Sequence, residues 1–371
     1  MDQPRILDSD RQERVQFAKQ VWPLLPDDVY QDEHYIMYFQ HVDQQIKKLQ
    51  RQNAAYSVST RHEVSRIFEY FQQLPSTTKS AAINSYASSA YSLDSVSRVI
   101  ELAATVWLTV RVDSVCPHDH GVNGGCIAWQ GHLSLGACIQ SYFEIEDLEV
   151  TEGKRNRIPR SFTMAHLCRR YGFRVIWTNN LADHLIINWE HKIVTIYEHL
   201  ICLWNHCKYT NDCHIPQAIL EEAIDTINLL FPSDKADTQA FLRITNKSFW
   251  KLGYCERQRC MQLSGYHYWR GSIQQLMEVL DDPPTGFNQI SLDKERRNFV
   301  EWATFWVAFI VALLTIISIV FGIVSIVYAV KSYDIAIKSL NVGIAQLELA
   351  SAQACAAPDA ATDLPQFCAG K

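Results

Sequence analysis

Apolar positions recur at helical spacing along most of this chain. Ile36, Phe39, Val42, Ile46 and Leu49 fall at steps of three and four, as do Val64, Ile67, Phe71 and Leu74, so each run predicts an amphipathic helix, the second ended by Pro75. Asp94 is the expected N-cap of a third, carrying Val96, Val99, Ala103, Val106 and Val110, after which comes the loop "VDSVCPHDHGVNGGC". Pro216 in a first turn opens "PQAILEEAIDTINLLF", closed by Pro232, and "WRGSIQQLMEVL" stops at "DDPP". Between these runs the period changes. Phe173 to Trp177, His184 to Ile187 and Lys192 to Tyr197 are rich in β-branched and aromatic residues and are separated by the turn clusters "TNN" and "NWEH", which predicts an antiparallel β-meander. The expected class is α+β, mainly α-helical, with a helical region over residues 1–150 and the meander plus helices over 151–290.

One stretch has no polar face at all. From Trp302 to Val330 no residue is charged, and as a helix this run would extend about 43 Å against a hydrocarbon thickness of about 30 Å. A buried core helix seldom exceeds about 20 residues and usually keeps a polar side, so residues 302–330 are expected to form one transmembrane helix followed by a tail over 331–371. Trp302 and Trp306 at one end, with Tyr328 and Lys331 at the other, stand where amphipathic and cationic groups meet the headgroups. Lys294, Arg296 and Arg297 precede the run, and Lys331 and Lys338 follow it. This slight excess, and a first segment with no apolar core of a signal peptide, lead us to expect a single-pass protein with a cytosolic N-terminus. The nine cysteines before the span would then stay thiols, while Cys355 and Cys368 in the tail either close a small loop in an oxidising space or remain unpaired.

Thr304, Ala308, Thr315, Ser318, Gly322, Ser325 and Ala329 recur at steps of three, four or seven. Such small residues, Ser318, Gly322, Ser325 and Ala329 above all, let helix backbones approach and make a homo-oligomer through the span one expectation. Ile337, Leu340, Ile344 and Leu347 continue a spacing suited to a short helix pair.

Composition narrows the partners. A net charge of -6 argues against a chain built to neutralise nucleic acid, and the lipid bilayer is the one partner the sequence names, the protein partners being left open. Two His/Cys groups merit a zinc test. His199, Cys202 and His206 share a helix face, with Cys207, Cys213 and His214 close behind; Cys116, His118, His120 and Cys126 sit on the Gly-rich loop. Neither spacing is a common zinc pattern, and a His or Cys on an apolar face is usually a packed core residue, so no cofactor is expected and a zinc module or membrane-tethered metal enzyme is the alternative. The basic run Lys154, Arg155, Arg157, Arg160, Arg169, Arg170 and Arg174 follows Glu144, Glu146, Asp147, Glu149 and Glu152; it reads as a solvated connection, with an anionic lipid or RNA contact as the alternative. Asp183 and His184, adjacent on an expected strand, would point to opposite faces. With no nucleophile elbow, phosphate loop or dinucleotide fingerprint in the chain, no catalytic residues are assigned and an enzyme is not expected. The sequon at Asn246 falls in the part placed in the cytosol and is expected to stay unmodified.

The order "FRVIWTNNLADHLII", "KIVTIYEH", a proline-led helix ending "LLFP", then "ERRNFVEWATFWVAFIVALLTIISIVFGIVSIV" resembles a large set of single-pass membrane proteins of filamentous ascomycetes. Their tails begin with basic residues and a Gln- or Glu-Trp-Ala-Thr-Phe-Trp-Val signature. The resemblance implies a membrane-held domain for interaction or regulation and, through the biofilm-architecture factors of that fungal background, a part in cell-surface or biofilm architecture. It brings no catalytic residues. The "VCPHDHGVNGGC" insertion and the long tail depart from the pattern.

Overall fold

The computed structural model describes residues 5–51, 61–87, 92–116, 125–145, 156–249, 255, 257–281 and 299–356. Met1–Asn288 form one compact unit and Gln289–Lys371 a second. The division expected at residue 150 is therefore not a boundary. The reason is a shared core: the Trp107 carbonyl lies 3.1 Å from His206 Nε2, and Thr109 hydrogen-bonds the Tyr197 hydroxyl.

In the first unit the long periodic runs become α2 (Asp32–Arg51), α3 (Arg61–Gln73), α5 (Leu93–Leu108), α9 (Gln217–Leu230) and α11 (Arg270–Asp281), joined by α1 (Arg11–Val21). Four helices of eight or nine residues, α4 (Lys79–Tyr86), α6 (Leu135–Tyr142), α7 (Met164–Tyr171) and α10 (Ala236–Ile244), have too few turns to display a repeat. Their starts are set by local chemistry: Thr78, Ser134 and Thr163 each accept a hydrogen bond from an amide of the first turn. Ser92, not Asp94, caps α5 in the same way, and Asp94 sits inside the first turn. Pro216 stands just before α9 rather than within it.

The sheets differ from expectation. β1 (Val112–Asp113) and β2 (Ile127–Ala128) pair in parallel. β3 (Arg174–Thr178), β4 (Ile187–Asn188) and β5 (Ile193–Tyr197) lie in the order β3-β5-β4, with β3 parallel and β4 antiparallel to β5. This is a mixed sheet, not an antiparallel meander. What prevents a β3-β4 hairpin is the anchoring of the chain just after β3. There the Asn180 side chain accepts from the amides of Arg111 and Ala182, and the Leu181 amide donates to the Thr109 carbonyl, tying a 3-10 turn over Leu181–Asp183 to the end of α5. Leu185 then takes a left-handed φ of 59°, and the chain re-enters on the far side of β5, whose Val194, Ile196 and Tyr197 are fully buried. His184, expected on a strand, belongs to this turn.

The second unit contains α12 (Phe299–Cys355), a single helix of 57 residues, about 85 Å long at 1.5 Å per residue. The expected span over 302–330 and the first part of the tail are thus one element, and the helix is long and apolar enough to cross a membrane. Every Val, Ile, Leu, Phe, Trp and Tyr from Phe305 to Leu349 is exposed.

Candidate functional site

α8 (Leu200–Lys208) carries the first candidate metal group, and His199 is its N-cap rather than a residue within it. Leu200, Ile201, Cys202, Leu203, Asn205 and His206 are all buried, while Trp204 and Cys207 are partly open and Lys208 is exposed, so most of this short helix is covered and its buried side chains meet different neighbours. His199 turns to α2 and the end of β3: its Nε2 lies 2.6 Å from Asn179 Oδ1, and its ring is 5.5 Å from that of His41. Cys202 packs beside Tyr197. His206 reaches the Trp107 carbonyl and stacks edge-on to Trp22, while His214 lies between Phe71 and Trp107. Cys207 faces Glu221 and Arg257, with Cys213 near it.

Among the described residues no three His, Cys, Asp or Glu side chains converge on a metal position. Shared sequence spacing is not enough when neighbouring elements draw each side chain to a different partner. Burial also pushes the Cys207 and Cys213 thiols up to about 12 and pulls His206 and His214 down to about 4, as core groups held neutral by desolvation. In the second candidate group Cys116 and Cys126 are bonded to each other, with Cα atoms 5.6 Å apart, so they offer no thiolate in this state; His118 and His120 lie outside the described residues. This disulfide also corrects the expectation that all cysteines before the span are thiols.

Asp183 and His184 do not work on each other. The Asp183 carboxylate accepts from the Gly125 amide and the Thr178 hydroxyl, whereas His184 Nδ1 accepts from the Tyr197 amide and Nε2 lies 2.7 Å from Thr226 Oγ1. The basic run is dispersed: Arg170 is buried on α7, Arg169 pairs with Asp237, Arg157, Arg160 and Arg174 are exposed, and Lys154 and Arg155 lie outside the described residues. Of its acidic neighbours only Glu144 is described.

Three buried polar centres gave no sequence signal. Lys79 Nζ, on the first turn of α4, contacts Glu101, Ser114 Oγ at 2.8 Å and the Trp129 carbonyl at 3.0 Å, and lies over the Trp129 ring. Glu222 accepts from the amides of His267, Tyr268 and Trp269 ahead of α11, a capping role filled from a distant helix. His41, 4% exposed, has no hydrogen-bond partner on either ring nitrogen. For Lys79 and Glu222 the side-chain partners lie more than twenty residues away, beyond the reach of any local pattern.

On α12, Ser318, Gly322, Ser325 and Ala329 occupy a common face, and a Cβ added at Gly322 would meet nothing within 4 Å. The same three-four spacing runs on, past the span, through Ser332, Ala336, Ser339 and Gly343. Trp306, Tyr328 and Lys331 are exposed at its ends, and the Trp302 side chain lies outside the described residues. Cys355 is disulfide-bonded, and Cys368 lies outside the described residues. Comparison with known families, curated proteins and solved structures found no match to this chain.

Proposed function

We propose that this protein is anchored by the apolar part of α12 and holds its first unit at a membrane surface, in the reducing compartment, as a module for contacts with other proteins. The observation that carries the reading is the exposure of every large apolar side chain from Phe305 to Leu349: such a surface needs a solvent other than water, and lipid is that solvent. Six cysteines outside any disulfide in the first unit, Cys138, Cys168, Cys202, Cys207, Cys213 and Cys260, support the reducing side. No bound chemistry is assigned to that unit, so its contribution is recruitment, with the membrane raising its local concentration.

The small-residue face supports self-association. From Thr315 to Gly343 its steps alternate three and four without a break. A repeat of 3.5 residues drifts by about 20° per heptad on a straight helix, so two such faces stay in contact only by a left-handed supercoil. The resemblance to ascomycete membrane proteins directs this module to cell-surface or biofilm architecture. Protease treatment of sealed microsomes bearing full-length protein with a tag at each end tests the reading: the N-terminal tag is removed and the C-terminal tag survives. Release of the whole chain by alkaline carbonate overturns it.

A further inference from the structure

Disulfides occur on both sides of the apolar run of α12. Cys116–Cys126 belongs to the first unit, and Cys355, bonded as well, follows Val330 by twenty-five residues. If the run crosses a bilayer, the two bonds are in different compartments, and an oxidising environment can maintain only one of them. The free thiols decide which. Cys138, Cys168, Cys202, Cys207, Cys213 and Cys260 are outside any disulfide in the first unit, four of them partly exposed, and Cys213 lies near Cys207, yet the two are not joined. A domain folded in an oxidising space would not keep so many accessible thiols single. The Cys355 side is then the oxidising one, and Cys116–Cys126 is a disulfide in a reducing compartment.

We infer that Cys116 and Cys126 form a reversible redox-modification site, bonded when the surrounding thiol pool is oxidised and open when it is reduced; this rests on the membrane reading above. The surrounding structure holds the two residues together in either state. Cys116 lies three residues beyond β1 and Cys126 directly before β2, and the two strands are paired. On one side Ser114 is bound to Lys79 and to Glu101. On the other, the Gly125 amide donates to buried Asp183 and its carbonyl accepts from Asn180 Nδ2, so close that a Cβ at position 125 would come 2.7 Å from the Ala182 carbonyl oxygen. Both cysteines are half-buried, open to a small reagent.

The co-reactant is a small-molecule disulfide such as oxidised glutathione. The thiolate of one cysteine attacks a sulfur of that disulfide, forming a mixed disulfide and expelling one small thiol; the second cysteine attacks the protein sulfur and expels the other. Two protein thiols and one disulfide become one protein disulfide and two small thiols, so protons and electrons balance.

The test uses full-length protein in sealed microsomes, cytosolic face outward, equilibrated in glutathione buffers and labelled with a membrane-impermeant maleimide, each cysteine being read by mass spectrometry. In reducing buffer Cys116 and Cys126 are labelled and Cys355 is not. A hundredfold change in the ratio of open to bonded form accompanies a shift of about 60 mV in the buffer, and both labels disappear together. In Cys116→Ser the mixed disulfide has no second thiol to resolve it, so Cys126 carries bound glutathione in oxidising buffer instead of an internal bond and is labelled in reducing buffer; the wild-type measurement stands even if that variant folds poorly. Labelling of both cysteines in all buffers overturns the inference while leaving the orientation intact. A Cys116–Cys126 bond that persists in reducing buffer, with Cys355 labelled, overturns it by placing the unit on the oxidising side. Labelling of all three from outside overturns the membrane reading itself.

Discussion

Similar side chains have opposite fates in the two units. In the first, Trp22, Trp107, Trp129, Tyr38, Phe39, Phe68 and Phe71 are buried among one another and their polar atoms are largely tied to nearby backbone, as when Trp107 Nε1 donates to the Val21 carbonyl. In α12 the same residue types are exposed from Phe305 to Leu349. The contrast teaches that the first unit is stabilised by protein covering protein, whereas α12 satisfies its backbone internally and leaves its side chains to the surroundings. A charge should therefore be tolerated at the surface of one unit and refused at the surface of the other. Replacing Ile316 and Ile323 together by arginine adds about 5–7 kcal/mol to insertion, at about 2.5–3.5 kcal/mol for each arginine near mid-span, and should move most of the protein from the carbonate-resistant membrane fraction to the soluble or aggregated one. Arginine at Ile244 and Leu93, exposed in the first unit, should leave membrane retention and the melting temperature unchanged. Equal retention of the Ile316/Ile323 variant would end the distinction between the two surfaces.

The next effect belongs to the first unit alone. Lys79 and Glu101 are 3% and 7% exposed, and each satisfies the other together with Ser114 and the Trp129 carbonyl. Lys79→Met leaves a carboxylate buried beside a hydroxyl, and breaking such a pair on one side costs about 3–5 kcal/mol. The midpoint of chemical denaturation should fall accordingly. In the double variant Lys79→Met, Glu101→Leu no charge is stranded, so much of the loss should return. A double variant as unstable as the single one would mean that the pair matters for its shape rather than its charge.

Legibility divides along the same line as packing. The helices of α2, α3, α5, α9 and α11, and the apolar run of α12, could be read because each is long enough to repeat a pattern several times. The mixed sheet could not. Its three strands were nearly located, but their order depends on Asn180 and Leu181 binding the end of α5, contacts between residues some seventy positions apart. The candidate metal group is spread apart for a related reason: spacing placed His199, Cys202 and His206 on one side of a helix, and in the fold each turns to a different neighbour, Asn179, Tyr197 and the Trp107 carbonyl. Where one helix runs unbroken, in α12, sequence spacing alone places Ser318, Gly322, Ser325 and Ala329 on a common face.

Acid should separate the units by a smaller but continuous effect. Desolvation pulls His41, His206 and His214 down to about 4 and His184 to about 3, and His199 is lowered by burial with His41 and Lys247 nearby. An imidazole buried neutral has a folded value below the unfolded one, near 6.5. Between these values the unfolded chain binds the extra proton, so stability is fully present above about pH 6.5 and is lost as pH falls toward 4, each histidine adding a slope of at most about 1.4 kcal/mol per pH unit. Glu222, whose carboxyl burial pushes up, acts in the opposite direction, but it is one group against five. Asp32, held low first by its bond to Arg14, loses its contribution only below the ordinary carboxylate range. α12 has no histidine between Phe299 and Cys355. Full-length protein in detergent micelles should accordingly lose the near-ultraviolet signal of the first unit between pH 6.5 and 4 while the helical far-ultraviolet signal of α12 remains. His184→Gln keeps a polar side chain beside Thr226 without the titration and should flatten part of the slope. Constant stability from pH 7 to 4, or a gain on acidification, would show that these histidines are hydrated in the folded protein and that its core is less closed than their burial implies.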